Sequence, residues 1–146
     1  MKKIFAMLVL IAAILPVSAQ KYATKTGNLK FEASVDSFEE VAAENKNTSA
    51  ILESLTGEIP VLTLMKGFRF KIALMEEHFN ENYVESDQFP KATFKGKIED
   101  FDVLKLTSAA KTFKISGDLT LHGKTKKIIA NGKILKSGDK ITITGN

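Results

Sequence analysis

From Thr112 to Ile143 the chain alternates apolar and polar residues with a period of two, and nothing else in the sequence restricts its fold as strongly. Phe113, Ile115, Gly117, Leu119 and Leu121 fall on one side of an extended segment, with Thr112, Lys114, Ser116, Asp118, Thr120 and His122 on the other. A turn at Gly123-Lys124-Thr125 interrupts the pattern, which resumes through Ile128, Ala130, Gly132 and Ile134, turns again at Ser137-Gly138-Asp139, and restarts at Ile141 and Ile143. Successive strand side chains point to opposite faces, so this spacing suits an antiparallel sheet with one wet face and no helix. Such a sheet, left flat, exposes its apolar face and two long edges. Curling into a barrel hides the first and shortens the second. The expectation is a mainly β domain built as an antiparallel barrel.

The same period extends upstream. Ala92, Phe94, Gly96 and Ile98 lie opposite Lys91, Thr93, Lys95, Lys97 and Glu99, and Leu29, Phe31, Ala33 and Val35 opposite Asn28, Lys30, Glu32 and Ser34. Thr26-Gly27 reads as the turn before that first strand. Ile59 to Met65 is a continuous apolar run with Pro60 near its start, which suits a strand covered on both sides. From Phe38 to Leu55 the residues leave two readings open: Val41, Ala42, Ala43, Ile51 and Leu52 could line a helix, but Asn45, Asn47, Thr48 and Ser49 form helices poorly. Only Ile72, Met75 and Phe79, with Leu74 and His78 beside them, have helical spacing, and they predict a short helical insertion ahead of Pro90. Phe101 to Ala110 reads as a connection. No repeat or linker divides the chain.

The first nineteen residues stand apart. Lys2 and Lys3 precede an apolar run from Ile4 to Leu15, followed by Pro16 and Val17-Ser18-Ala19, the form of a cleavable secretory signal. The run is well short of the roughly 20 residues that cross a bilayer. A single domain, residues 20–146, is then expected in the periplasm or outside the cell, with no membrane span after cleavage. The chain has no cysteine, so neither a disulfide nor a lipid on a cysteine is available to it. Losing Lys2 and Lys3 takes the formal charge from +4 to +2. The remaining lysines alternate with apolar residues along strands, which argues against a nucleic-acid partner.

Chemistry-bearing residues are few. His78 and His122 are the only imidazoles, neither is set in a Gly-x-Ser-x-Gly environment, and Met75-Glu76-Glu77-His78 lacks the second histidine of a metal-binding helix. Glu76, Glu77, Glu81, Glu85 and Asp87 fit a solvated helix face. No catalytic residue, metal ligand or cofactor is assigned, and the protein is not expected to be an enzyme. The inward set says more: large residues would fill a small barrel, whereas Gly96, Gly117 and Gly132 on the same face either leave room for an apolar ligand or relieve strand curvature around a packed core.

Two stretches carry a resemblance. Leu74-Met75-x-x-His78-Phe79-Asn80-Glu81-Asn82-Tyr83-x-Glu85-Ser86-x-x-Phe89-Pro90-x-Ala92-x-Phe94-x-Gly96, followed by Ser116-Gly117-Asp118-Leu119-Thr120-Leu121-His122-Gly123-x-Thr125-Lys126, strongly resembles the YceI-like family of exported lipid-binding proteins, over about Lys21 to Asn146. The resemblance implies an extended, lipocalin-like antiparallel β-barrel with a short helical insertion, enclosing a polyisoprenoid chain in an elongated apolar cavity. It also implies a strand around Asn45 to Leu55. Family members normally continue past the position of Asn146, so the last one or two strands are expected to be missing, with the edges left behind available for pairing in a homodimer. The expected function is non-enzymatic binding of a long apolar lipid, an isoprenoid foremost. Leu29, Phe31, Phe94, Ile98, Phe113, Ile115, Leu119, Leu121 and Ile134 would form the cavity wall, and His78, Asn82, Tyr83 and His122 its polar mouth. The alternative is a stress-related structural or interaction protein with a filled core; a metal-assisted hydrolase using the two histidines is a third reading.

Overall fold

Every ladder among the described residues is antiparallel, and the strands follow one another across the sheet almost in chain order. The computed structural model describes residues 20–33 and 41–146; the expected signal segment, residues 1–19, and Val35 lie outside the described residues. Among the described residues the strands are β1 (Lys21–Ala33), β2 (Val41–Glu53), β3 (Glu58–Leu64), β4 (Arg69–Phe70), β5 (Lys91–Ile98), β6 (Lys111–Leu121), β7 (Lys124–Ser137) and β8 (Lys140–Gly145), with an α-helix, α1 (Ala73–His78), between β4 and β5. The order across the sheet is β1-β2-β3-β5-β6-β7-β8, and β4 pairs with β2. The sheet curls into a nearly closed barrel. Among the described residues no ladder joins β1 to β8.

Register follows the alternation. Phe94 faces Leu119, Gly96 faces Gly117 and Ile98 faces Ile115 across β5 and β6, and Ile115 faces Ala130 across β6 and β7. One inner face thus runs through three strands, and a slip of one residue would turn all of it outward. At the centre Gly117 stands against the Lys95-Gly96 backbone so closely that a Cβ there would strike the Lys95 carbonyl oxygen. The two strands can approach and coil at this point because neither carries a side chain.

Three local expectations change, and the strand expected around Asn45 to Leu55 is present. The first strand begins at Lys21, and Thr26-Gly27 lies at a bulge inside it, where the register with β2 shifts. The segment with two readings is strand β2, one whose inner face buries Ala43, Asn45, Thr48 and Leu52. β3 is covered on one side only: Ile59 and Thr63 are buried, while Leu64 on the outer face is 56% exposed, because a single-layered barrel has nothing to place there. The β6 to β7 turn is His122-Gly123 alone, both residues having positive φ (+52° and +70°), while Lys124 and Thr125 already belong to β7. A two-residue hairpin loop with both residues left-handed matches the twist of the strands it joins.

β2 changes partner along its length. Near its middle Ser49 and Ala50 pair with β3, and near its start Ala43 and Glu44 pair with β4. Between them Asn45, 1% exposed, replaces the ladder: its Nδ2 donates to Thr63 Oγ1 and to the Leu64 carbonyl, both at 2.9 Å, and its Oδ1 accepts from Asn47 N. Gly67 packs on this amide, and a Cβ at that position would lie 2.5 Å from Asn45 Nδ2.

α1 and the wider turn after it, Phe79–Tyr83, closed by a bond from Val84 N to the Phe79 carbonyl, form the insertion that caps one barrel end. Met75, Glu76, Phe79 and Asn80 make its half-buried side, whereas Ile72 and Leu74 are 40% and 57% exposed. Glu76 fastens it to β4 by accepting from Arg69 Nη1 at 3.1 Å and Phe70 N at 3.2 Å. Among the described residues no helix is long and apolar enough to cross a membrane.

Candidate functional site: an apolar cavity inside the barrel

Two packed clusters occupy the two ends of the barrel. At one end Leu52, Ile59, Ile98, Leu106 and Ile134 are buried together, with Phe101 set edge-on to Phe113. At the other, under the insertion, Ala43, Met65, Phe68, Val84 and Ala92 pack with Phe31, Phe70 and Phe79. The four phenyl rings there contact one another at centroid separations from 4.9 to 5.9 Å. Between the clusters lies a cavity of about 640 Å³, within the range of roughly 300 to 1,000 Å³ typical of small-molecule sites.

Its wall is almost wholly apolar. The polar residues along it are Lys30, Thr63, Thr93, Asn131, Thr144 and Asn146, and the Thr63 oxygen is already bonded to Asn45 and to Thr48 Oγ1 at 3.1 Å. A water placed inside would find few of the two to four polar partners it needs. The cavity offers no nucleophile beside a base, and among the described residues no group of three or more His, Cys, Asp or Glu side chains could hold a metal ion. What it can do is remove a hydrocarbon from water.

Of the residues expected in the wall, Leu29, Phe31, Phe94, Ile115, Leu119 and Leu121 line the cavity. Ile98, Phe113 and Ile134 do not: Ile98 and Ile134, 1% and 0% exposed, are in the packed cluster at the far end, and Phe113 packs against it. They share the inner face but lie where the barrel is filled, a distinction that periodicity does not carry. None of the three inward glycines has open space where its side chain would be. The space beside Gly96 is taken by the Phe94 ring, and that beside Gly132 by Ile115 Cδ1, at 2.8 Å from a Cβ built there. Phe79 and Val84 from the insertion, and Met65 and Phe68 before it, join the wall without having been expected there. Their signal was an apolar residue at each end of the Phe79–Tyr83 turn.

None of the four expected mouth residues lines the cavity. His78, Asn82 and Tyr83 point to solvent, Tyr83 being 75% exposed, because the turn directs its apolar residues inward and leaves these outside. His122 has a structural partner: its Nε2 lies 2.9 Å from Glu85 Oε1, and the Phe89 ring sits on it at a centroid distance of 4.5 Å. Glu85, like His122, has a positive φ, +47°. Phe89 also covers Gly123, where a Cβ would lie 2.7 Å from Phe89 Cε1. This knot ties the end of the insertion to the β6 to β7 hairpin, beside the wall residues Val84 and Leu121. It gives the histidine a structural role.

A curled antiparallel sheet around an apolar hollow, with a short helical cap, defines a lipocalin-like barrel. The chain belongs to the YceI-like family: the model of the YceI-like domain matches residues 17–146. Among solved structures, it is similar to a polyisoprenoid binding domain from Saccharophagus degradans implicated in plant cell wall breakdown, at 14% identity and a TM-score of 0.71, over 86% of this chain and 73% of that one. BcnA of Burkholderia cenocepacia is similar at 15% identity and a TM-score of 0.62, over 86% of this chain and 74% of that one. The Campylobacter jejuni YceI protein is similar at 19% identity and a TM-score of 0.54, over 71% of this chain, which spans 61% of its length. No curated protein matches the chain in sequence.

Proposed function

We propose that this protein is exported and binds, without catalysis, a long apolar lipid of the isoprenoid type inside its barrel. The observation that carries the reading is the cavity of about 640 Å³ with its almost wholly apolar wall. Each methylene moved from water into such a space contributes about 0.8 kcal/mol, so a long chain binds well with few polar contacts. The likeness to a domain described as polyisoprenoid binding supports a branched unsaturated chain. Leu29, Phe31, Phe94, Ile115, Leu119 and Leu121 are the proposed contacts. The basic and apolar start of the chain supports export to the periplasm or beyond; N-terminal sequencing of the exported protein should begin at Gln20, and a retained Met1 would refute cleavage.

Native mass spectrometry of protein purified from its own cells, with gentle release, tests the binding. An extractable lipid, or stoichiometric uptake of an added isoprenoid, is expected. A homogeneous unliganded mass that takes up no isoprenoid would favour the filled-core alternative.

A further inference from the structure

On the outside of the barrel the register gathers positive charge. β5, β6 and β7 turn Lys91, Lys95, Lys97, Lys114, Lys127 and Lys133 away from the cavity, and all six are exposed. The pairing fixes their side: Asp118 stands between Lys95 and Lys127, Ser116 between Lys97 and Ile129, and Thr112 opposite Lys133, and directly opposed residues share a face. Among the described residues of these three strands Asp118 is the one acid on that face; Glu58, opposite Lys97, and Glu99, just past β5, border it. With all three acids counted against the six lysines the face keeps a formal +3, compared with +2 for residues 20–146 as a whole. None of the six lysines is in an ion pair among the described residues. Between them lie a row of hydroxyls, Thr93, Thr120 and Thr125, and one large apolar side chain, Ile129, which is 70% exposed.

We infer that this outer face docks the barrel against an anionic lipid bilayer, with the lysines on separate headgroup phosphates and Ile129 in the interface beneath them. Lys91 and Lys97 are six strand positions apart, about 20 Å, and Lys95 and Lys127 two strand spacings apart, about 9.6 Å. One small anion cannot bridge charges spread so widely, whereas a plane of headgroups meets each separately, and flexible lysine stems bring ammonium groups from three neighbouring strands to one plane. Ile129 gains nothing from an anion in solution. At a bilayer it leaves water for the boundary of headgroups and acyl chains, as the apolar residues of interfacial segments do. Docking of this kind is independent of what the cavity holds.

Vesicle flotation tests it, with protein purified from its own cells and vesicles of phosphatidylcholine alone or mixed equally with phosphatidylglycerol. Binding is expected to the mixed vesicles only, and to weaken as salt is raised. A lysine near an anionic surface contributes about fivefold in affinity, so K95Q/K97Q/K127Q should bind about a hundredfold more weakly. Three exposed lysines removed elsewhere, on β1, β2 and the Val103–Lys105 turn, as K25Q/K46Q/K105Q, should leave most of the binding. Ile129→Gln should weaken binding to the mixed vesicles and leave binding to heparin, a soluble polyanion, unchanged. Every substituted position is exposed, and urea melts matching the unmodified protein separate lost docking from lost folding. No binding to the mixed vesicles, or an equal loss in the two triple variants, overturns the inference and leaves the cavity reading untouched. Tighter binding to heparin than to vesicles, with Ile129→Gln the same as the unmodified protein on both, also overturns it and assigns the face to a soluble polyanion.

Discussion

Ile134 and Leu119 lie on the same inner face, yet the structure places the first in a filled core and the second on the wall of a hollow. Truncating each to alanine separates a cavity protein from a packed barrel. Ile134 is 0% exposed; removing its three outer carbons loses about 2.4 kcal/mol of transfer free energy, and the void left among tightly packed neighbours adds about 1 to 2 kcal/mol. Ile134→Ala should therefore cost about 3.4 to 4.4 kcal/mol, a large share of a net stability of about 5 to 15 kcal/mol. Leu119 already faces empty space on one side, so Leu119→Ala enlarges an existing void and should cost only about 1 kcal/mol in the unliganded protein. The assay is equilibrium urea unfolding of both variants, with and without bound isoprenoid, followed by circular dichroism. Ligand should widen the gap between the unmodified protein and Leu119→Ala while leaving that for Ile134→Ala unchanged. Equal costs for the two variants without ligand would mean that the barrel packs onto itself in solution, and the cavity argument would fail.

Gly117→Ala drives a Cβ into the Lys95 carbonyl; it should lower the urea midpoint by the equivalent of about 2 kcal/mol or more, the range of an overpacked core position. Asn45→Ala strands the Asn47 amide and removes the donor to Thr63 and Leu64, at about 2 to 3 kcal/mol, seen by hydrogen exchange as early opening where β2 meets β3. The Glu44 carboxyl is held below its usual range by the hydrogen bond from Asn28 Nδ2 at 2.7 Å, then, against a desolvation effect, by Lys30 and Lys46. A depressed carboxylate stabilises the fold above its unfolded pKa, and that contribution is lost as pH falls through the folded value; Asn28→Ala should move the Glu44 titration upward in an NMR pH series.

The parts legible in the sequence were those that repeat. Alternation placed β5, β6, β7 and β8, and the wall residues Phe94, Ile115 and Leu119, because a side chain's face depends only on parity. Parity cannot tell how far along the barrel a residue sits, so Ile98 and Ile134 looked like wall. β2 was ambiguous for another reason: Asn45 and Thr48 are inward residues whose polarity makes sense only once Thr63 and Leu64 are seen beside them. His122 was read as a candidate mouth residue because its partner, Glu85, is 37 positions away.

The contact between Gly67 and Asn45 bears on how such a chain can diverge. A side chain at position 67 has no room while Asn45 holds its three partners, since the first added carbon would meet the amide nitrogen at 2.5 Å. A smaller residue at position 45 alone leaves buried donors and acceptors without partners. Each single step is harmful, yet a paired change that removes the amide and fills its space from position 67 need not be, which is strong epistasis between two sites 22 residues apart. The barrel end that carries the helical cap is therefore inherited as a unit, and a drift in the strand must be met by a drift in the turn.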